Sequence, residues 1–309
     1  MSNLRPLTPL LALRAKEELN EVPERIDDDL KAFREWIAKQ PHLNARTDDQ
    51  FLMAFLRGCK HSLEKAKHKL DMFYTMRGII PELYKNRSVD DPKVLGILRS
   101  GCLIRLPSPL GEDGPRIHVT RYGMYDSHKF TIADVMKTNT FLQEIEFVED
   151  DNAMVKGFIE IIDFKGVTGS HMLQFDPTLV RKLAALGDKA WPYRQKGFHL
   201  VNVPSGTETI LTLVRSFLSE KIKKRFHIHK KYESLYEHVP EKYLPVEYGG
   251  KNGTIQDVID TWEAKLLSYR EYFNDEVNYG TNEKLRPGKP MTSETVFGLA
   301  GSFRKLDVD

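Results

Sequence analysis

The stretch WPYRQKGFHLVNVPSGTETILTLVRSFLSEKIKKRFHIHKK, residues 191–231, sets an apolar strand, an apolar helix and a dense basic cluster directly one after another. Phe198, Leu200, Val201 and Val203 make a short β-prone run that Pro204 ends. Ile210, Leu211, Leu213, Val214, Phe217 and Leu218 then recur at helical spacing and give one apolar face. Lys221, Lys223, Lys224, Arg225, Lys230 and Lys231 follow, opposed only by Glu220. An apolar helix ending in cations suits a surface that meets both lipid tails and lipid phosphates. A core helix followed by a solvated basic turn accounts for the same spacing, because most apolar stripes are core.

The chain has 309 residues, enough for one large core or one and a half domains. A hydrophobic share of 40% and a charged share of 29% describe an ordinary globular protein. The formal net charge of +2 argues against nucleic acid as partner, so any electrostatic function must come from a local patch. Cys59 and Cys102 sit in apolar contexts and are expected to be reduced and buried. The leucines at 7, 10, 11 and 13 are interrupted by Pro9 and followed at once by charge, which reads as neither signal peptide nor membrane span. These features predict a cytoplasmic protein.

Residues 24–77 read as three amphipathic helices forming a small bundle. Ile26, Leu30, Phe33 and Ile37 mark the first; Thr47 with Gln50 has capping-box spacing before the second; Leu63, Ala66, Leu70 and Phe73 mark the third. From about residue 92 the pattern alternates between strand and helix. Strands are expected at 102–106, 116–121, 158–162, 198–203 and 226–228. Helices are expected at 131–149, from Asp176-Pro177 to Leu186, at 205–218, briefly from Ser219, and at 254–273. Alternation of this kind implies a largely parallel or mixed sheet covered by helices. The tail from Glu276 is polar and expected to be loosely held.

The usual catalytic signals do not appear. No G-x-G-x-x-G follows a strand, no P-loop is present, and Ser205 lacks the G-x-S-x-G elbow. His227 and His229 share one face of a strand, but no third ligand stands at a familiar spacing, so no metal is expected. Asp163 ends a strand, where a turn or capping role outweighs a catalytic one.

Taken together, the motifs resemble those of the CRAL-TRIO lipid-carrier family, in the branch of tocopherol and retinaldehyde carriers. The resemblance rests on Asp49-Gln50-Phe51-Leu52-Met53-Ala54-Phe55-Leu56-Arg57, on Gly157-Phe158-Ile159-Glu160-Ile161-Ile162-Asp163, and on Ser170-His171. It continues through Gly197-Phe198-His199-Leu200-Val201-Asn202-Val203-Pro204, Phe217-Leu218-Ser219-Glu220-Lys221-Ile222-Lys223 and Leu244-Pro245-Val246-Glu247-Tyr248-Gly249-Gly250.

The resemblance implies an α/β fold, with an N-terminal three-helix bundle before a mixed, largely parallel five-stranded sheet and a mobile lid helix at 205–218. It divides the chain into an extension (1–23), a helical bundle (24–90), a lipid-binding domain (91–275) and a polar tail (276–309). By position it implies a cavity lined by Phe158, Ile162, Leu186, Trp191, Tyr193, Phe198, Ile210, Leu211 and Val214. It likewise implies a phosphoinositide groove built from Arg194, Lys196, Lys221 and Arg225. A further arginine of that groove corresponds to Cys59, with Lys60 adjacent and Arg57 kept. The function implied is a monomeric, non-enzymatic carrier that needs no cofactor and exchanges one hydrophobic ligand at anionic membranes with which it associates transiently. The alternative is a lipid sensor that recruits a protein partner when loaded.

Overall fold

The computed structural model describes residues 2–298. The N-terminal part comprises α1 (Pro9–Leu19), α2 (Ile26–Ala38), the two-residue strand β1 (Leu43–Asn44), α3 (Asp49–Gly58), α4 (Leu63–Ile79), α5 (Pro81–Tyr84) and α6 (Pro92–Arg99). The three bundle helices stand where the apolar spacing puts them, and α1 precedes them. Pro9, read from sequence as an interruption, is the first residue of α1, and Thr8 caps it through its side chain. Proline costs nothing at that position because the missing N–H has no helical partner there. The cap of α3 is Asp48 rather than Thr47: its carboxylate accepts from the Phe51 amide.

Next come β2 (Leu103–Arg105), β3 (Arg116–Arg121), α7 (Ile132–Glu149), α8 (Asp151–Lys156), β4 (Phe158–Asp163), α9 (Gly169–Leu173), α10 (Pro177–Lys189) and β5 (Gln195–Val201). The chain continues with α11 (Glu208–Phe217), α12 (Glu220–Lys223), β6 (Phe226–Ile228), α13 (Tyr232–Tyr236), α14 (Ile255–Ser268), α15 (Arg270–Asn274), β7 (Gly280–Thr281) and α16 (Ser293–Phe297). The helix expected at 254–273 is therefore two helices, divided at Tyr269. The helix expected from Ser205 starts three residues later, because Gly206 takes a left-handed φ of 85° and Thr207 turns its hydroxyl back to the Pro204 carbonyl.

One five-stranded sheet has the order β2-β3-β4-β5-β6; β2 is antiparallel to β3 and the remaining pairs are parallel. Because neighbouring residues in register point to the same side, the sheet presents two distinct faces. One face carries Ile104, Ile117, Val119, Ile159, Ile161 and Val201, all buried against Leu235, Val258 and Ile259 of α13 and α14. The other carries Arg105, His118, Thr120, Phe158, Glu160, Ile162, Phe198, Leu200 and Phe226. The larger core joins the bundle to α7 through Phe51, Phe55, Phe73, Phe141 and Phe147. Gly157, at φ 77°, lets the chain enter β4 beside the Arg194 carbonyl, where a Cβ would lie 2.0 Å from that oxygen.

The segment after Glu276 corrects the expectation of a loose tail. The β7 strand pairs with β1, and Arg286 Nη1 donates to Asp71 Oδ2 at 2.6 Å across 215 positions of sequence. Phe297 of α16 is buried in the main core. A buried arginine with its carboxylate, plus an aromatic anchor, hold the segment against the bundle. Residues 299–309 of the expected tail lie outside the described residues.

Candidate functional site

Apolar side chains normally fill both faces of a strand inside a parallel sheet. On β4 that holds fully for one face only: Ile159 and Ile161 are buried, whereas on the other face Phe158 is buried and Glu160 and Ile162 are half-buried. Phe198 on β5 and Phe226 on β6 continue the half-buried side, their rings 6.4 Å apart, and Ile228 is exposed. The protein's own side chains therefore leave this face partly uncovered on three adjacent strands.

Helix α11 has the apolar face its sequence specifies, yet none of its residues is buried. Ile210, Leu211 and Val214 are half-buried, Leu213 is exposed, and the helix packs against α10. An amphipathic helix with no buried residue retains apolar surface for another partner.

The expected cavity residues divide into two sets. Ile162 and Phe198 lie on the partly open face with Phe158, whose ring stacks on His118 at 4.6 Å and meets Tyr193 edge-on at 5.0 Å. Leu186 is 0% exposed and belongs with Trp191 to the main core. That corrects the expectation for Leu186: its place on α10 turns it to the bundle, away from any open surface. Tyr193 anchors by its hydroxyl, which donates to the Gln143 carbonyl and to Glu146 Oε2. A cleft of about 380 Å³ lies elsewhere, between 41–44 and 277–282, and none of the expected ligand-binding residues lines it.

The expected basic residues do come together. Arg194 Nη1 and Lys196 Nζ lie 3.5 and 3.7 Å from Glu18 Oε2, and Lys156 Nζ lies 2.5 Å from Glu18 Oε1. Arg225 Nη1 donates to the Gln195 carbonyl. Burial foremost lowers the pKa of Arg194, Lys196 and Lys221; Arg194 adds its charge at Lys196, and Arg225 adds its charge at Lys221 and Arg194. Lys69, which donates to the Asp188 and Trp191 carbonyls, is lowered by burial in the same way, with Lys221 contributing. Partly dehydrated cations that repel one another gain strongly from an added anion. Arg194 Nε and Nη2 are buried with no hydrogen-bond partner among the described residues.

Sequence reasoning missed Lys69, Lys156 and the acidic residue among the cations, Glu18, because α4, α8 and α1 bring them from distant positions. Arg57 does not join the group. It is buried and paired with Glu21 at 2.9 Å and Asp151 at 2.8 Å.

His227 and His229 have ring neighbours that lie apart from them in the sequence. His227 and His229 meet His199 and His238, all four ring centroids lying between 4.7 and 6.3 Å apart. His199 Nδ1 and His229 Nε2 are 2.9 Å apart, and His229 Nδ1 reaches Ser234 Oγ. The ring planes of His199, His227 and His229 stack instead of aiming at one point. Among the described residues no group of three or more potential ligands is arranged to hold a metal. Asp163 has the turn role expected of it: it accepts from the Lys165 amide, from Asn202 and from the Tyr248 hydroxyl. Cys59 and Cys102 are free and buried. Among the described residues no helix is long and apolar enough to cross a membrane.

Comparison with known proteins places these features in a family. The model of the Pinta-like UBA domain matches residues 22–94, and that of the CRAL/TRIO domain matches residues 107–250. The human protein called alpha-tocopherol transfer protein-like is 31% identical over 269 residues, covering 86% of this chain and 77% of its own. Human Clavesin-2 is 28% identical over 290 residues, covering 93% of this chain and 87% of its own. Among solved structures, the crystal structure of Sfh5 overlaps 82% of this chain and 92% of that chain at 14% identity and a TM-score of 0.47. With a relative this similar along most of the sequence, and a CRAL/TRIO domain matched over residues 107–250, the chain belongs to the CRAL/TRIO domain family.

Proposed function

We propose that this chain is a non-enzymatic carrier acting in the cytoplasm as a monomer. It holds one hydrophobic molecule, such as a tocopherol or retinoid, and exchanges it at phosphoinositide-containing membranes. The observation that carries this reading is the partly uncovered sheet face at Ile162, Phe198 and Phe226, matched by a helix whose apolar side chains are nowhere fully buried. Ile162, Phe198 and Phe158 form the floor, Tyr193 closes one end, and Ile210, Leu211 and Val214 act as a movable lid.

Each methylene buried there stabilises the complex by about 0.8 kcal/mol, so a long ligand needs few polar contacts and release becomes the difficult step. A lid that turns its apolar face to a bilayer addresses that step. Arg194, Lys196, Lys221 and Arg225 bring it to an anionic surface at about 1 kcal/mol each, together roughly a thousandfold preference before salt screening. The 31% identical relative, named a tocopherol transfer protein-like protein, supports a carrier over a catalyst.

The test is transfer of a fluorescent lipid between liposomes. We expect acceleration that depends on phosphoinositide in the acceptor and is lost when Lys221 and Arg225 are both changed to Ala. Binding of lipid without faster exchange would replace this reading with a sensor that recruits a partner. A folded protein that binds no apolar probe would overturn both.

A further inference from the structure

A charged residue in the middle of a central parallel strand is expensive unless it has a partner and a reason to stay wet. Glu160 occupies that place in Phe158-Ile-Glu-Ile-Ile162, on the same face as Ile162 and Phe198. Its side chain is 13% exposed, so the surrounding protein does not seal it.

Thr120 Oγ1 donates to Glu160 Oε1 at 2.6 Å and fixes the carboxylate in place. The second oxygen, Oε2, lies 3.7 Å from His118 Nδ1, too far for a direct hydrogen bond. His118 is 1% exposed, and its Nδ1 has no hydrogen-bond partner among the described residues. On its other side His118 Nε2 stands 2.8 Å from Glu146 Oε1, out of line for a hydrogen bond, and Glu146 is tied to Arg105 and Tyr193. The two facing atoms, Glu160 Oε2 and His118 Nδ1, are thus a fixed acceptor and an unused imidazole nitrogen only 3.7 Å apart, close enough for one oxygen lying beside them to reach both.

We propose that Glu160 and His118 form the polar end of the ligand site and select an apolar ligand bearing a neutral hydroxyl, an alcohol or a phenol. This deepens the carrier reading and rests on it. One hydroxyl oxygen set beside the two atoms donates its proton to Glu160 Oε2 and accepts from His118 Nδ1–H, which satisfies both atoms at once. A carboxylate- or phosphate-ended lipid meets the negative charges of Glu160 and Glu146 instead, and an ether or hydrocarbon end leaves the carboxylate dehydrated and unpaired. Selectivity therefore comes from repulsion of acids as much as from attraction of alcohols.

The test is fluorescence titration of the purified chain with three probes sharing one polyene tail: parinaryl alcohol, its methyl ether and parinaric acid. A hydrogen bond to a charged group sets the expected scale, roughly tenfold to a hundredfold tighter binding of the alcohol than of either other probe. E160Q removes the charge with little change of shape and should strengthen binding of the acid at least severalfold. E160L, with its fold checked by circular dichroism, should bring alcohol and ether to equal affinity. Equal binding of all three probes by the natural chain, or an alcohol preference unchanged in E160Q, overturns this assignment and leaves the carrier reading intact. Failure of all three to bind overturns the carrier reading and this assignment with it.

Discussion

The two faces of the five-stranded sheet are built from the same three central strands and end in opposite states. Toward α13 and α14, Ile117, Val119, Ile159, Ile161 and Val201 interlock into a closed apolar layer. Toward α7, the alternate positions of those strands carry His118, Thr120, Phe158, Glu160, Ile162, Phe198 and Leu200, of which Glu160, Ile162 and Phe198 are only half-buried. Alternation along a strand makes this division possible, since residues one position apart serve different sides. The closed face supplies stability, which frees the other face to remain incompletely packed.

The largest test of that contrast sets Ile161→Ala against Ile162→Ala, neighbours in sequence on opposite faces. Ile161 is 1% exposed, and truncating it should cost about 2–5 kcal/mol, the range for deleting a buried aliphatic side chain. Ile162 is half-buried, and its truncation should cost about 1 kcal/mol while weakening retention of an apolar probe. Urea denaturation of both variants checks this, and equal losses would mean that the two faces are packed alike.

A smaller effect is expected from pH at the edge of the closed face. Burial first, then the charges of His227, His229 and His238, hold the His199 imidazole down at about 3, and His227 and His229 are lowered by burial and by His238. Glu237 opposes this at His229. The unfolded chain takes up these protons near the ordinary histidine value of about 6.5. Below that value the unfolded state binds more protons, so stability is complete above it and declines as pH falls toward 3. Each proton contributes a slope of about 1.4 kcal/mol per pH unit inside its window. Melting curves between pH 7 and 5 should show a shallower decline for His199→Phe than for the natural chain. Identical slopes would remove the cluster from the account of acid sensitivity.

The smallest effect concerns the basic group around Glu18. Glu18 neutralises part of the Lys156, Arg194 and Lys196 group, and its pKa is lowered by those cations against the opposing effect of its own burial. Glu18→Gln should leave the fold unchanged and strengthen binding to phosphoinositide vesicles by about two- to fivefold, the scale of a partly exposed ion pair. Flotation at low salt measures it. Unaltered binding would place the headgroup contact away from Arg194 and Lys196.

How much of this was readable in advance depended on how local the signal was. The apolar stripe of α11, the strand 158–162 and the Asp176-Pro177 helix start were legible because periodicity and capping act within a few residues. The basic residues at 194, 196, 221 and 225 were legible through the family resemblance, and the structure does assemble them. The expectation for Leu186 failed because an apolar residue on an amphipathic helix reads the same whether it faces a core or a ligand.

The sequence alone determined the order of elements, the single charged residue Glu160 inside the apolar run of β4 and the amphipathic character of α11, all set between near neighbours. Tertiary structure alone decided which partners meet. It joined His199, His227, His229 and His238 from β5, the β6 segment and the turn after α13. It placed Glu18 of α1 among cations more than a hundred positions away, and set Glu160 beside Thr120 and His118 of a neighbouring strand. It also fastened Arg286 to Asp71. Such pairings depend on register and on how helices dock, which follow from the packing of the whole core and leave no trace in any one stretch of residues.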